Sequence, residues 1–400
     1  MMQRLPSYPE RAHEAASRPN VNLLLGDNGA GKTTILRAVA LTALVAILDG
    51  SGFVPYRLVR RTKTKALDRA SLTASLEFHE QGVGNFVDDP EASQPVTLGI
   101  ERIRDVEKLN FPVIMRDLWE DMYDDGSPAF LVLGYGASRR VESSGGFDEG
   151  VRRRSRLLRY QRVAGLFEDQ VTLTPLSAWL PEIKSDNPSR YKQAVKLINQ
   201  LLPEECVLTG AMDGPDVVFE HRGVSLPFSA LSDGYRGYIG WIADLLYHMC
   251  MDDQRDSNLD ELRGIVLVDE IDLHLHPEWQ RVVVPKLSTT LPNLQFILST
   301  HSPIVSGTVE WRNIFVMEPD AEGASRVSQI QEQVHGRSSE QILLSPYFNL
   351  VTTRSPDAED TLSKLAQRAG EGDSKAAVEY LRVLTEGSGA DSQPLSKRRR

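Results

Sequence analysis

At 400 residues the chain is about two to three times the length of a typical domain, enough for one sizeable core or two packed subdomains. Hydrophobic residues at 41%, charged residues at 25%, 29 Gly and 22 Pro exclude disordered, collagen-like and repeat classes. A formal charge of -10 excludes a molecule that coats nucleic acid with its whole surface, although a local basic patch stays possible.

Two cysteines, Cys206 and Cys250, lie far apart and lack CxxC spacing, which excludes a disulfide framework and a zinc ribbon. Both read as core thiols in a reducing compartment. Residues 1–19 are rich in Arg, Glu and Pro with no apolar centre, unlike a secretory signal. The longest nearly apolar run, residues 38–48, falls short of the roughly 20 residues that a membrane span needs. The expectation is a cytoplasmic protein with no membrane contact.

In chain order, residues 1–20 form an N-terminal segment. Residues 21–25, Val-Asn-Leu-Leu-Leu, predict a buried strand, followed by a Gly-rich turn and an apolar helix from Thr33 to about Asp49. Alternating stretches at 72–80 and 96–102, separated by the polar loop 81–95, predict an antiparallel side sheet. Residues 128–134 read as a buried strand. The chain then turns basic and Gly-rich to Arg162, a loop leading into a helix, and 177–202 carries helical periodicity with a polar face.

Strand chemistry returns at 206–212 and 217–221. A long helix is predicted over 232–249, with buried strands at 264–268, 294–299 and 313–317. Apolar strands alternating with helices imply a mainly parallel sheet covered on both faces. Residues 338–386 read as helical, and 387–400, closing on Lys397-Arg398-Arg399-Arg400, as a disordered basic tail.

The expected organisation is therefore an N-terminal segment (1–20), a P-loop core with side sheet (21–135) and a basic loop with helical insert (136–205). The rest of the core (206–335), a C-terminal helical region (336–386) and the tail (387–400) follow.

Gly26-Asp27-Asn28-Gly29-Ala30-Gly31-Lys32-Thr33 fits GxxxxGK[ST] and stands between a predicted strand and a helix N-terminus, where its chemistry requires it. The glycines free backbone N–H groups to wrap phosphates, and the helix dipole favours an anion. Lys32 would neutralise phosphate charge and Thr33 would ligate Mg²⁺. Gly26, Asn28, Gly29, Ala30, Gly31, Lys32, Thr33 and Thr34 are the candidate ATP-binding residues of this loop.

The strand 264–268 ends in Asp269 and Glu270, a Walker B arrangement. Asp269 would hold the Mg²⁺ shell, and Glu270 would orient or deprotonate the attacking water.

Leu231-Ser232-Asp233-Gly234-Tyr235 opens a predicted helix, and Leu298-Ser299-Thr300-His301-Ser302-Pro303 follows a buried strand. With Lys32 and Glu270, this set and its order resemble ABC-type ATPases of the SMC, RecF and OLD-like branch. The resemblance implies a P-loop NTPase of ABC head type that dimerises head to head, with ATP between the Walker A loop of one copy and the signature motif of the other. Ser232 and Gly234 would then meet the γ-phosphate in trans, and His301 matches the switch histidine that positions water.

Asp269-Glu270-Ile271-Asp272-Leu273-His274-Leu275-His276-Pro277 resembles the DExxxHLHP stretch of the same branch, a dimer-facing D-loop region. The resemblance covers residues 22–316. It departs in two places. No glutamine stands where a Q-loop would be; Gly134-Tyr135-Gly136-Ala137-Ser138-Arg139 is similar instead to the YGxxR of a bacterial AAA-type subgroup. Only 20 residues precede the first strand, so either Tyr8 is the aromatic that stacks on adenine or this start lies downstream of the true one.

Two readings of the basic stretch stay open. Arg139 is either a contact to phosphate or the neighbouring subunit, or a surface arginine. Arg139, Arg140, Arg152, Arg153, Arg154, Arg156, Arg159 and Arg162 either contact DNA or RNA backbone or form a solvated, salt-bridged loop.

Between Lys32 and Ser232 there are no sustained heptads, and no Toprim or His-Asn-His constellation follows His301. Similar compact ATPases occur in Septu-type and retron-associated antiphage pairs, where an HNH nuclease partner acts. The resemblance therefore implies an ATPase switch controlling a partner effector; a RecF-like DNA-binding ATPase is the alternative.

Overall fold

The structure, a computed structural model, describes residues 18–48, 51, 53–60, 68–76, 94–104, 106–111, 131–141, 158–252, 258–320 and 324–386. Tyr8, most of the loop 81–95, Arg152, Arg153, Arg154, Arg156 and the tail 387–400 lie outside the described residues.

The first strand, β1 (Val21–Gly26), is apolar and buried on both faces, as a central strand of a parallel sheet must be. The phosphate loop leads from it into α1 (Lys32–Ala43). The single helix expected to about Asp49 is broken: Leu44 leaves helical geometry at φ -107, ψ 16, and α2 (Val45–Leu48) resumes after it. The Thr42 hydroxyl donates back to the carbonyls of Ala38 (2.9 Å) and Val39 (3.1 Å), a bond that competes with the helical ladder and bends it.

The side sheet has three antiparallel strands rather than the two expected: β2 (Arg69–Leu76), β3 (Gln94–Ile103) and β4 (Val106–Asn110). After it comes β5 (Val132–Tyr135), then the short pair β6 (Arg140–Val141) and β7 (Thr172–Leu173), with α3 (Leu158–Gln161) between them.

The helical layer expected over 177–202 is two helices, α4 (Leu176–Asp186) and α5 (Pro188–Leu201). Asn187 separates them at φ -140, ψ 84, and its side chain caps α5 by accepting the Arg190 N–H. Pro188, at the first turn, sits where a missing N–H costs nothing. A second antiparallel sheet follows, of β8 (Cys206–Asp213), β9 (Asp216–His221) and β10 (Val224–Pro227); the last strand was not anticipated.

The long helix α6 (Asp233–Asp252) comes next, then β11 (Gly264–Val268), α7 (Pro277–Gln280), α8 (Val283–Thr290), β12 (Leu294–Ser299), α9 (Pro303–Ser306), β13 (Ile314–Pro319) and β14 (Ser325–Ser328). The central sheet has the order β14-β13-β1-β12-β11-β5, with all pairs parallel except the antiparallel edge strand β14. The fold is thus a P-loop NTPase with a mainly parallel core sheet, antiparallel side sheets and a helical layer.

Leu24, Leu36, Leu41, Leu267, Ile297 and Phe315 belong to one buried cluster that joins α1 to the sheet. Both cysteines are buried, and neither is in a disulfide.

The described residues from Glu340 to Glu386 fall into a separate compact unit. There the continuous helical region expected from 338 is interrupted: α10 (Ser339–Leu343) is short, and only after an irregular stretch come α11 (Pro356–Gly370) and α12 (Ser374–Glu386). Ser355 caps α11 through the Ala358 N–H, and Pro356 sits at its first turn.

Candidate functional site

Because β12 lies between β1 and β11, the C-terminal ends of three parallel strands share one sheet edge. That edge carries Gly26, then Ser299-Thr300-His301, then Asp269-Glu270, the crevice where open α/β sheets bind ligands. Gly26 has φ 149, and a Cβ there would lie 2.6 Å from the Met317 carbonyl oxygen, so only glycine fits. Gly31 reaches φ 97 as it turns the chain into α1.

Lys32 is buried, and its Nζ donates to the carbonyls of Gly26 (2.8 Å) and Asp27 (3.1 Å). Burial lowers the ammonium from its ordinary value, while Asp269, Glu270, Asp27 and Asp272 act the other way. This ammonium is held by neutral oxygens that the more negative oxygens of a phosphate can replace.

The Thr33 hydroxyl donates to Asp269 Oδ2 at 2.6 Å, joining the two residues expected at a metal. Asp269 Oδ1 accepts from Ser299 Oγ, which in turn accepts the Glu270 N–H at 2.8 Å. The next peptide is pinned too, with Ile271 N–H on the Ser299 carbonyl at 2.9 Å and the Thr300 hydroxyl on Asp272. Residues 269–272 are thereby stapled to the end of β12. Glu270 itself has φ 49, a left-handed backbone rare for a residue with a Cβ. His301 follows at the same edge, half-exposed, and Ser302 caps α9.

Arg139 is partly exposed as a residue, but its guanidinium is turned inward. Its Nη2 donates to the Glu270 carbonyl at 2.6 Å, and its Nη1 is closed off from solvent with no partner among the described residues. Burial pulls the guanidinium down to about 10, with Asp272, Asp269 and Glu270 acting against it, so it stays a cation at neutral pH. Arg159 and Arg162 are buried, at 1% and 8% exposure, which removes these two of the eight arginines from any open nucleic-acid-binding face.

At the signature segment, Ser232 is exposed and directly precedes α6, its carbonyl taking the Arg236 N–H at 2.9 Å. Gly234 lies against the expected D-loop: a Cβ there would stand 3.0 Å from the His274 carbonyl oxygen. The Tyr235 ring meets Trp279 edge-on at 4.1 Å, and its hydroxyl donates to Glu205 at 2.6 Å and touches His221 Nε2 at 2.9 Å. His276 caps α7, accepting the Glu278 N–H.

The structure therefore brings Lys32, Thr33, Asp269, Glu270 and His301 to one edge, and sets Gly234 beside residue 274, with the exposed Ser232 two residues before that glycine. Sequence reasoning assigned no role to Ser299, Thr300 or Asp272, although all three stand inside quoted motifs. It also missed Asp244, a carboxylate in the apolar run of α6, buried against Tyr135 Oη (3.0 Å), the Thr174 N–H (2.6 Å) and His248 Nε2 (3.4 Å). One acid amid Trp-Ile-Ala-Asp-Leu-Leu was the readable signal.

The donor set fits a nucleotide with Mg²⁺: a glycine loop at a helix N-terminus, a buried ammonium, and a hydroxyl and carboxylate converging as hard oxygen ligands.

A family model described as "AAA domain, putative AbiEii toxin, Type IV TA system" matches residues 181–306, which include the signature, Walker B and His301 segments. Septu protein PtuA of Bacillus mycoides (strain KBAB4) is 26% identical over 350 residues, covering 86% of this chain and 42% of that protein. The retron Ec83 probable ATPase of Escherichia coli is 40% identical over 103 residues, 26% of this chain and 19% of that one. The chain thus spans less than half the length of either relative. Among solved structures, the SMC head domain from Thermotoga maritima aligns with a TM-score of 0.40 at 15% identity, over 78% of this chain and 91% of that one. The glycine loop leads from a central strand of a mainly parallel sheet into a helix, as in a P-loop fold, and the chain is similar to a Septu protein and to a retron ATPase.

Proposed function

We propose that the chain is an ATP-binding and ATP-hydrolysing switch, in which two copies close head to head around ATP and Mg²⁺. It rests above all on the convergence of Lys32, Thr33, Asp269 and Glu270 at one sheet edge while Ser232 faces outward. ATP supplies the leaving group, and Mg²⁺ neutralises charge developing on the phosphates.

The backbone N–H groups of Gly29, Ala30 and Gly31, with Asn28 and Thr34 beside them, wrap the phosphate chain, and Lys32 exchanges its carbonyl partners for phosphate oxygens. Thr33 and Asp269 hold the metal. Glu270 orients and deprotonates water, His301 positions it, and Ser232 and Gly234 complete the site of a second copy. The likeness to Septu and retron proteins supports the wider reading, a role in antiphage defence through a partner effector such as an HNH-type nuclease.

Glu270→Gln tests the switch. With Mg-ATP the variant is expected to elute as a stable dimer by size exclusion with light scattering, while its hydrolysis falls about 10²- to 10⁴-fold. An unchanged elution volume with and without ATP sinks the head-to-head model. The alternative, a DNA-binding ATPase, predicts duplex binding that weakens steeply with salt.

A further inference from the structure

We infer that Arg139 is a positioning residue for hydrolysis, holding the Glu270 peptide in its left-handed turn; this rests on reading Glu270 as the group that activates water. A left-handed backbone at a residue with a Cβ persists only where its surroundings impose it. At Glu270 the N–H is held by Ser299 Oγ (2.8 Å), and the carbonyl takes both the Leu273 N–H (3.0 Å) and Arg139 Nη2 (2.6 Å). Arg139 is the charged donor of the three, and a charge-assisted bond is about twice as strong as a neutral one.

The loop delivering it has little slack. A Cβ on Gly136 would lie 2.1 Å from the Gly165 carbonyl oxygen, so this loop packs backbone to backbone against the turn 164–166. The Arg139 N–H closes on the Ala137 carbonyl at 3.0 Å, aiming the side chain across to residue 270. Its second nitrogen, Nη1, is closed off from solvent with no partner among the described residues, a cost that a merely structural arginine would shed by turning to solvent. The fork is kept where it is by the Glu270 carbonyl on one side and the carboxylates of Asp269, Glu270 and Asp272 around it.

The test compares full-length wild type, Arg139→Ala and Arg139→Lys in two measurements. In steady-state ATP hydrolysis, Arg139→Ala is expected to lower kcat by about 10²-fold, the effect of a small displacement of a catalytic group, with KM and the Kd of a fluorescent ATP analogue within about twofold of wild type. Arg139→Lys, which keeps one charged donor, should recover kcat to within about tenfold. In nucleotide-free hydrogen exchange, amides 269–273 of Arg139→Ala should open about tenfold faster or more, with those of 206–227 unchanged.

Wild-type kcat and wild-type exchange in Arg139→Ala overturn the assignment. So does lost nucleotide binding at unchanged kcat, which would make Arg139 a nucleotide ligand. If Arg139→Ala fails to fold, Arg139→Lys carries the exchange comparison. If wild type does not hydrolyse ATP, or Glu270→Gln leaves hydrolysis intact, the reading of Glu270 has failed, and exchange at 269–273 alone decides whether Arg139 holds the turn.

Discussion

The two halves of the candidate site are built differently. At the strand ends, Thr33, Asp269, Ser299, Glu270, Thr300 and Asp272 are hydrogen-bonded to one another, so this half is organised within one chain. At the signature, Ser232 is exposed, and it is the residue behind it, Tyr235, that is locked by Glu205, His221 and Trp279. One half is pre-formed for its ligand; the other is a rigid mount presenting small groups outward. A pre-organised half-site and an outward-facing one are what a composite site between two copies requires.

Complementation is the strongest way to break that comparison. Lys32→Ala damages the phosphate-loop half and Ser232→Arg blocks the signature half, so each alone should lose hydrolysis by about 10²-fold or more. Mixed together, they form heterodimers in which one site keeps both intact halves, and hydrolysis should return. If the mixture stays as inactive as its components, Ser232 does not act in trans and the contrast between the halves has another cause.

The pre-formed half was legible in the sequence because its chemistry is local. Gly26 to Thr33 and Asp269-Glu270 are contiguous motifs on a predicted strand and helix, and the parallel sheet brings their ends together without further instruction. What was not legible depended on contacts across the fold. Arg139 looked like part of a basic loop because nothing local shows a guanidinium reaching a carbonyl 131 positions away. The break at Leu44 and the split at Asn187 were hidden by apolar periodicity running through both, and β14 was too short and polar to stand out. Asp244 was readable as an anomaly, but its partners Tyr135 and Thr174 lie far away in the chain.

Asp244 sharpens the comparison, because it ties the signature helix α6 to the strand next to Walker B. Tyr135, whose hydroxyl it accepts, gives its carbonyl to the Asp269 N–H at 2.8 Å. Burial raises the Asp244 carboxyl, but His248 and the Thr174 N–H more than offset this and hold it below its ordinary range; burial and Asp244 together push the Tyr135 hydroxyl well up. Asp244→Asn should cost about 1–3 kcal/mol in denaturant unfolding, from the bonds lost and the donors left unpaired. The sign of the pH dependence follows from the lowered carboxyl. Its contribution is full above the ordinary carboxylate range and fades as pH falls through the folded value, so wild type and Asp244→Asn should converge in acid. A stability gap that is the same at pH 7 and at pH 3 means the ionised carboxylate is not what holds the two elements together.

The smallest expected effect isolates the mount itself. Tyr235→Phe keeps the ring against Trp279 and removes only the hydroxyl bonded to Glu205 and His221. Glu205 is half-exposed and held below its ordinary range first by that hydroxyl and then by Arg222, so the lost bond is partly solvent-screened and worth about 1 kcal/mol or less in unfolding. The hydroxyl nonetheless fixes the first turn of α6 to the β8–β9 hairpin, one residue after Gly234. If the rigidity of the mount is what lets a second copy close on it, Tyr235→Phe should weaken ATP-induced dimerisation several-fold while nucleotide binding to the separate chain stays at wild-type affinity. Equal losses in both would place Tyr235 in the stability of the whole head and leave the signature half no more specialised than the rest of the surface.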